Sequence, residues 1–286
     1  MYISVVIPTF NEGERIAECL DALMKNTQKP FEIIIADGGS QDKTVAIASA
    51  YKGVDIIYTP KKTAAESRNL GIEKAKGDII AFTDGDCIVD AHWLEQIATA
   101  FEKYDIDGLG GHVEPAPAYN EIEEYWGNLS LRIIMNFGEV GYEVMQKTLN
   151  DAFITANCAY KKELLHAIGG FDVWFANNAE DIDLCWRSLN SGARLRYVPE
   201  VRIQAHSITT LDGIKKKSMR NGISSSKLQK RYGRFINYDW NIYRMLAANI
   251  RRRLRGEKNA SYDLTELTWH LLGKYYGSII AGVINI

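Results

Sequence analysis

The segment DIIAFTDGDC, residues 78–87, joins the composition of a buried strand to an abrupt acidic end. Its apolar run stops at two carboxylates, Asp84 and Asp86, with Gly85 between them. Buried strands do not normally finish in paired charges, because an unpaired buried carboxylate is costly to desolvate. Two carboxylates at a strand end can instead hold a hard divalent cation, which prefers oxygen ligands. A lone Asp-x-Asp is also common as an acidic turn, so the rest of the chain must distinguish the two.

The bulk composition is that of a globular protein. The 286 residues are 46% hydrophobic and 24% charged, enough to bury a substantial core. Four scattered cysteines without a CxxC pair argue against a zinc ribbon or a disulfide scaffold. Because the N-terminus runs directly into a strand pattern without a secretory signal, we expect a cytoplasmic protein.

Charge is distributed unevenly along the chain. Residues 207–258 hold fourteen Lys and Arg against three acids, whereas residues 1–206 hold nineteen against thirty-one. An acidic body therefore carries a basic tail, although the formal net charge is only -2. The acidic body and a pI near 6.2 argue against nucleic acid as the main partner.

The first half of the chain alternates strand-like and helix-like patterns. Short runs rich in β-branched residues predict strands at residues 3–7, 32–36, 54–58 and 78–82. The segments that follow them predict helices at residues 14–25, 44–50, 64–75 and 91–104. This alternation predicts an α/β fold with a mostly parallel sheet flanked by helices. In such sheets, ligands bind at the carboxyl ends of the strands.

The alternation stops after residue 108. We expect a strand at 110–115, a long helix at 119–147, a strand at 153–156 and a helix at 161–168. A helix should begin at Glu180, and strands should follow at 194–198 and 201–205.

Polar segments follow the predicted strands at one edge of the sheet. They are PTFNE (8–12), DGGSQDKT (37–44) and DGD (84–86). The second segment precedes a helix, whose free N–H groups favour an anion, although a tight turn capped by Ser40 or Asp42 explains it equally well. The chain contains neither a GxGxxG nor a Walker A motif, which disfavours a dinucleotide-binding or P-loop enzyme.

Three further positions each allow a functional and a structural interpretation. Arg68 is either a solvated charge or a contact to a phosphate or base. Glu180 and Asp181 either complement a helix dipole or supply a general base. His206, which follows a strand, is either structural or a nitrogen ligand to the same metal.

Together these segments resemble the family 2 glycosyltransferases, which are inverting nucleotide-sugar enzymes of the GT-A fold. The similarity covers about residues 1–206, and the matching motifs occur in the order of the family. They are VVIPTFNE (5–12), DGGSQDKT (37–44), RNLG (68–71), GD (77–78), DGD (84–86), GGFD (169–172) and EDIDL (180–184).

The resemblance implies a role for each matching residue. Asp37 would hydrogen-bond the base, Arg68 the base or diphosphate, and Asp84 would lie near the ribose or a metal-bound water. The implied nucleotide-sugar-binding residues are Pro8, Thr9, Glu12, Asp37, Gly38, Arg68, Asp84 and Gly85. Asp86 would bind Mg²⁺ or Mn²⁺ directly, with Asp84 and His206 as further candidate ligands. Asp181 would be the catalytic base with Glu180 as its fallback, and Gly170, Phe171 and Asp172 would form the acceptor side.

The implied reaction is metal-dependent and inverting. It moves a sugar from a nucleoside-diphosphate sugar, of the UDP or GDP type, to an acceptor hydroxyl. The acceptor, whether a sugar, a lipid-linked molecule or a protein, stays open. We expect a GT-A-like catalytic domain at 1–206, with a nucleotide-sugar-binding half at 1–112 and an acceptor-binding half at 113–206. A helical extension, basic and then apolar, should occupy 207–286.

The extension has two interpretations. Apolar residues recur at helical spacing over residues 240–255, next to clustered arginines, which is typical of a helix on an anionic membrane or of one packed on the catalytic domain. Residues 267–284 are apolar but contain His270 and Lys274, and they barely reach the roughly 17–25 residues that a membrane span needs. A monotopic or docking helix is the better interpretation. A peripheral position at the cytoplasmic membrane face is therefore one alternative for the whole protein.

Two other functions are alternatives to sugar transfer. A metal-dependent nucleotidyltransferase would also combine a nucleotide, a metal and an α/β sheet, but residues 11–15, NEGER, match its glycine-rich loop poorly. A non-catalytic membrane-binding or nucleic-acid-binding module would use the basic tail. Metal-dependent transfer or hydrolysis of a sugar nucleotide would distinguish an enzyme from such a module.

Overall fold

The structure is a computed structural model of the chain. It describes residues 1–60, 63–133, 138–148, 151–176, 178–233, 239–257 and 259–282, without the side chains of 130–133 and 239–244. The chain forms two compact units. The first comprises Met1–Pro117, Gly127–Ala176 and Glu180–Ser207, and the second comprises Ala118–Trp126, Asn177–Ala179 and Ile208–Ile286. The functional division into a catalytic domain and an extension stays a prediction.

The first unit begins with the expected alternation of strands and helices. Its elements are β1 (Ile3–Thr9), α1 (Ile16–Met24), β2 (Glu32–Asp37), α2 (Thr44–Ala48), β3 (Val54–Tyr58), α3 (Ala64–Lys74) and β4 (Ile79–Phe82). These strands pair in parallel in the order β3-β2-β1-β4. Successive residues of β1 point to opposite faces, so that Val5 and Ile7 belong to one hydrophobic cluster and Val6 to the other. The sheet is therefore buried on both faces, as the apolar runs predict.

The rest of the first unit extends the same sheet. Its elements are β5 (Cys87–Val89), α4 (Trp93–Lys103), β6 (Gly108–Pro115), the part of α5 (Glu121–Ile133) from Gly127 onward, β7 (Tyr142–Glu143), a 3₁₀ turn at Thr155–Asn157, β8 (Cys158–Lys161), α6 (Lys162–Ala167), α7 (Glu180–Asn190) and β9 (Leu195–Ala205). The full strand order is β3-β2-β1-β4-β8-β6-β9-β5, and β7 also pairs with β9. The predicted α/β fold is confirmed. The sheet is parallel through β4 and mixed beyond it, because β8 pairs antiparallel with both β4 and β6.

Four predicted elements beyond residue 108 are wrong in detail. The helix predicted at 119–147 does not reach its predicted end: α5 is described to Ile133, residues 134–137 lie outside the described part, and Tyr142–Glu143 is a strand paired with β9. The strand predicted at 153–156 begins instead at Cys158. The buried Asn157 side chain fixes the preceding turn, since it donates to two backbone carbonyls and accepts from Trp93 Nε1 at 2.8 Å. The two strands predicted at 194–205 are one strand, whose partner β6 shifts register between Gly111 and His112.

The second unit contains three long helices: α8 (Leu211–Tyr232), α9 (Asp239–Leu254) and α10 (Ala260–Ala281). Glycines bring the backbones of α8 and α10 into contact. A Cβ atom on Gly222 would lie 2.1 Å from the carbonyl oxygen of His270, and one on Gly273 would lie 2.2 Å from that of Met219. A Cβ on Gly277 would lie 2.7 Å from Ile223 Cα. These contacts advance together along both helices, so α8 and α10 run parallel.

The helices of the second unit are not membrane spans. Over the described residues of the whole chain, no helix combines the length and the apolar character that crossing a bilayer requires.

Candidate active site

The loops after β1 and β2 are tied together at the carboxyl edge of the sheet. Backbone N–H groups of Asn11, Glu12 and Gly13 donate to side chains of the β2–α2 loop at 2.8–2.9 Å. In return, Asn11 Oδ1 accepts from the backbone of Gln41 at 2.9 Å. Asn11 adopts a left-handed conformation with φ 58°, which asparagine tolerates better than most residues. The two loops therefore form one rigid wall of the site.

Asp37, at the end of β2, is buried and shapes its own turn. Its carboxylate accepts from Thr9 Oγ1 at 3.0 Å and from Ser40 Oγ at 2.5 Å. It also accepts from the backbone N–H groups of Gly39 and Ser40 at 2.9 and 2.8 Å. Four donors fill the approximate capacity of a carboxylate. Its contact to a base stays a prediction, as do the roles of Pro8, Thr9 and of Gly38, whose N–H donates to the Thr9 carbonyl at 2.8 Å.

The acidic turn after β4 lies against Glu12. A Cβ atom on Gly85 would lie 3.1 Å from Glu12 Cγ, so a larger residue at position 85 would have to displace that side chain. Asp84 and Asp86 are both partly exposed. The structure thus brings together Glu12, Asp84 and Asp86, which the sequence places in two separate motifs.

Two carboxyl groups of this cluster, Glu12 and Asp86, have raised pKa values. Burial, followed by the charges of Asp86 and Asp84, raises the pKa of Glu12 from 4.5 to about 8, against the opposing effect of Arg15. Burial and then Asp84 raise the pKa of Asp86 from 3.8 to about 6, although a hydrogen bond from Cys87 and the charge of Arg15 oppose the rise. Oxygen donors that repel one another favour a hard cation between them.

Arg68 lies beneath this cluster on α3 and is only 4% exposed. Its Nη2 is 2.8 Å from Asp84 Oδ1, and its Nη1 is 2.8 Å from Glu180 Oε1. Burial alone would lower the pKa of Arg68, but the charges of Asp84 and Glu180 outweigh it and raise the pKa. The guanidinium therefore joins the end of β4 to the start of α7. Its contact to a base or diphosphate stays a prediction.

The start of α7 separates its two acids. Glu180 is buried and paired with Arg68, whereas Asp181 is partly exposed and its Oδ1 accepts from the Ile182 N–H at 2.8 Å. Asp183 is fully buried and pairs with Arg187 at 2.7 Å. Asp181 is therefore the most accessible of the three carboxylates.

The loop that carries Gly170, Phe171 and Asp172 is fixed from two sides. Asn69 exchanges two hydrogen bonds with the backbone of Phe171, at 2.7 and 2.8 Å, and Arg187 donates to the Gly170 carbonyl at 2.6 Å. The Phe171 ring is buried and packs edge-on against Phe82, 5.4 Å between centroids. Phe171 is thus a core side chain, and the acceptor-side roles of the loop stay predictions.

His206 is buried beside the acidic turn. Its backbone N–H donates to the Asp86 carbonyl at 3.0 Å, and its ring Nε2 lies 3.1 Å from Glu18 Oε2. Within the described residues, no three His, Cys, Asp or Glu side chains are arranged to hold a metal ion. Ligation by His206 stays a prediction.

Several residues that build the site were not singled out from the sequence. Glu18 faces His206 from the first turn of α1, and Arg15 donates to the Ser207 carbonyl at 3.3 Å. Arg187 stands four residues after Asp183, a spacing typical of a helical ion pair. That spacing was a usable signal for Arg187, but nothing in the sequence indicates that Glu18 faces a histidine 188 positions away.

Residues 4–169, more than half of the chain, match the family model described as glycosyl transferase family 2. The chain belongs to glycosyl transferase family 2. The resemblance seen in the motifs is therefore confirmed, and the likeness covers the sheet edge that carries Glu12, Asp84 and Asp86.

Named relatives of this family 2 chain include glycosyltransferases of archaea and bacteria. Glycosyltransferase AglE of Haloferax volcanii is 38% identical over 120 residues, which are 40% of this chain and 40% of that protein. The pre-mycofactocin glycosyltransferase of Mycobacterium tuberculosis is 26% identical over 226 residues, 77% of this chain and 46% of that protein. The alignments thus span less than half the length of either relative.

Solved structures of similar fold include two bacterial proteins. Residues 1–349 of TarS from Staphylococcus aureus superpose with a TM-score of 0.60 at 14% identity, covering 99% of this chain and 92% of that one. Glucosyl-3-phosphoglycerate synthase of Mycobacterium tuberculosis superposes with a TM-score of 0.59 at 19% identity, covering 81% of this chain and 80% of that one. That structure was solved with Mn²⁺, UDP and glucosyl-3-phosphoglycerate. At such identities the likeness concerns the fold, and it confirms the predicted GT-A-like architecture.

Proposed function

We propose that this chain transfers a sugar from a UDP-sugar to an acceptor hydroxyl, with inversion at the anomeric carbon and with the help of a divalent cation. The observation that carries the proposal is the cluster of three carboxylates, Glu12, Asp84 and Asp86, at the carboxyl edge of a family 2 sheet. TarS was solved with UDP and with UDP-GlcNAc, and the synthase with UDP and Mn²⁺. These structures support UDP as the nucleotide and a divalent cation as the cofactor. The family match also favours sugar transfer over nucleotidyl transfer and over a non-catalytic module.

Asp86, with Asp84 and His206 as further candidates, would hold Mg²⁺ or Mn²⁺. The residues suit such an ion, because carboxylate oxygens are its preferred ligands, and burial together with neighbouring carboxylates raises the pKa of Glu12 and of Asp86. When bound, the cation would stabilise the negative charge that develops on the departing diphosphate. Pro8, Thr9, Asp37 and Gly38 would line the nucleoside side.

Asp181 is the residue that we assign as general base. Glu180 is held by Arg68 and buried, whereas Asp181 is accessible at the same helix start. Asp181 would take the proton of the acceptor hydroxyl as its oxygen bonds to the anomeric carbon and the bond from that carbon to the diphosphate breaks. A positioned base of this kind typically contributes roughly 10²–10⁴-fold in rate.

The acceptor and its location belong to the same proposal. A lipid-linked or otherwise membrane-bound acceptor would suit the basic helices of residues 207–286, which would bring the chain to the cytoplasmic face of a membrane. Gly170 and Asp172 would lie on the acceptor side.

The nucleotide and metal parts of the proposal are tested together by thermal shift. UDP should stabilise the protein more with Mn²⁺ than without it, by about 2.7 kcal/mol at a hundredfold excess over Kd, and GDP should stabilise it less. Asp86→Asn should lose the effect of Mn²⁺, while Asp55→Asn, at an exposed acid on β3, should keep it. If no nucleoside diphosphate stabilises the folded protein with either Mn²⁺ or Mg²⁺, the proposed function is wrong.

The base is tested by the Mn²⁺-dependent release of UDP from the donor. Asp181→Asn should bind the donor normally and slow this release by roughly 10²-fold or more. Full activity in a folded Asp181→Asn protein would contradict the assignment.

A further inference from the structure

Helix α10 buries small side chains and exposes large apolar and aromatic ones. Its buried residues include the small Gly273, Gly277 and Ser278 and the charged Lys274. Its exposed residues include five that are large and apolar or aromatic: Leu272, Tyr275, Tyr276, Ile279 and Ile280. Ile279 is 80% exposed and Ile280 is 54% exposed. A helix that packs on a protein core and faces water shows the opposite arrangement.

The close contact with α8 explains which residues are inside. The glycines of α10 face α8 at backbone contact distance, and Ser226 Oγ of α8 donates to the Lys274 carbonyl at 3.0 Å. Large side chains would not fit in that contact. They are left on the outer side, where positions 272, 275, 276 and 279 follow the spacing of one helix face. We call Leu272, Tyr275, Tyr276, Ile279 and Ile280 the α10 apolar face.

Positive charge lies on the other helices of the same unit. Arg251, Arg253 and Arg255, at the end of α9, are exposed. Lys230 Nζ of α8 lies 3.9 Å from the position that a Cβ on Gly282 would take, so a cation stands near the end of α10, one turn from Ile279. Arg252, within the α9 cluster, pairs with Asp263 in the first turn of α10 at 2.8 Å, so cations stand beside both ends of α10. An apolar face with tyrosines on a helix that has cations at its two ends matches the chemistry of an anionic lipid surface.

We propose that the α10 apolar face docks on an anionic lipid bilayer, with α10 lying in the interface plane and the cations of α8 and α9 against lipid headgroups. This inference rests on the membrane contact proposed above for residues 207–286, and it names the surface that makes that contact. A second copy of the chain is the less favourable occupant. A second copy would carry the same excess of positive charge over residues 207–258, which disfavours pairing of like surfaces.

Vesicle co-sedimentation of the full chain at low salt tests the docking surface. We expect binding to vesicles of phosphatidylcholine mixed with phosphatidylglycerol, and weaker binding to phosphatidylcholine alone. Ile279→Ser with Ile280→Ser should lower the partition coefficient by about tenfold or more, because two apolar side chains no longer enter the lipid. Val140→Ser, which removes an exposed apolar residue of the first unit, should leave it unchanged.

The charge contribution is tested in the same assay. Arg251→Gln with Arg253→Gln should weaken binding to anionic vesicles by roughly tenfold or more, and high salt should have the same effect. Lys25→Gln with Lys52→Gln, two exposed lysines of the first unit, is the matched control.

Thermal shift with UDP and Mn²⁺ separates this inference from the proposed function. The α10 and α9 variants should keep the nucleotide response of the unaltered protein while losing vesicle binding. The inference is overturned if Ile279→Ser with Ile280→Ser binds anionic vesicles as well as the unaltered chain does. It is also overturned if those substitutions instead convert a dimer to a monomer in light scattering, since the face would then bind a second copy.

Discussion

Arg68 places one positive charge between two carboxylates, Asp84 and Glu180, at 2.8 Å from each. Because Arg68 is almost fully buried, its loss would leave Glu180 as a buried acid without its cationic partner. Removing one partner of a buried pair typically destabilises a protein strongly, since the remaining charge stays desolvated. Arg68 is therefore a residue that positions the acids of the site.

Arg68→Met should lower the free energy of unfolding by about 3–5 kcal/mol. Arg68→Lys should recover only part of this loss, because an ammonium cannot span two carboxylates as a guanidinium does. Arg202 is the matched control, since it also joins two acids, Glu114 and Glu139, but its side chain is 37% exposed. Arg202→Met should cost about 1 kcal/mol or less in urea unfolding. Equal losses at both positions would contradict the role given to Arg68.

Glu12 should make the stability of the metal-free protein depend on pH. Its pKa is raised from 4.5 to about 8, so the folded state holds a proton that the unfolded chain releases. The stability that Glu12 contributes should therefore be fully present below pH 4.5 and be lost as the pH rises from 4.5 through about 8. Asp86 acts in the same direction only up to about pH 6. Burial also raises the pKa of Glu266, from 4.5 to about 7, so thermal unfolding reports mainly on Glu12 only between about pH 7 and 8.

Glu12→Gln should flatten this pH dependence, and Glu14→Gln, at an exposed acid two residues away, should not. Mn²⁺ added with UDP should bind more tightly at pH 8 than at pH 6 and release protons. A Glu12→Gln protein with an unchanged pH profile would show that the proton resides elsewhere.

At the scale of elements, the parallel pair of α8 and α10 depends on glycine. Gly273→Ala should destabilise the pair by about 1–3 kcal/mol, because a Cβ there would meet the Met219 carbonyl at 2.2 Å. Intrinsic helix propensity predicts the opposite sign, a gain of about 1 kcal/mol. Thr268→Ala, on the exposed side of α10, should change stability by no more than about 0.5 kcal/mol. Hydrogen exchange of the α10 amides measures the stability of this helix in both variants. We expect faster exchange in Gly273→Ala and unchanged exchange in Thr268→Ala.

Elements were predictable where local pattern determines them. The strands and helices of β1 to β4 follow their apolar periodicity to within a few residues. Beyond residue 108, tertiary contacts determine the structure: Asn157 forms its turn with partners 44 to 64 positions away, and β7 exists because it pairs with β9. No local pattern reports such pairings.

The site was predictable to the same degree. Its acids follow strand ends, and topology alone brings strand ends to one edge. What the sequence left open is the partner of each charged group. From the sequence, Arg68 is either a ligand contact or a solvated charge; the structure shows it buried and paired with Glu180, 112 positions away, while its contact to a ligand stays a prediction.

For the whole molecule, the bulk numbers conceal the segregation of charge. A pI near 6.2 describes a mildly acidic protein, yet residues 207–258 carry fourteen basic residues against three acidic ones. Eleven of the fourteen lie on α8 and α9, in the same unit as the α10 apolar face. Attraction to anionic lipid depends on the local electric field. It therefore follows the positive charge of the second unit and not the net charge of the whole chain.

The reciprocal hydrogen bonds between the loops after β1 and β2 have a consequence for engineering. Asn11 both donates to Ser40 and accepts from Gln41, while Gly13 donates to Asp42. Replacing one loop alone would therefore remove hydrogen bonds that hold the other. A chimaera that grafts donor specificity from a relative would have to transplant residues 10–15 and 38–44 as a single cassette.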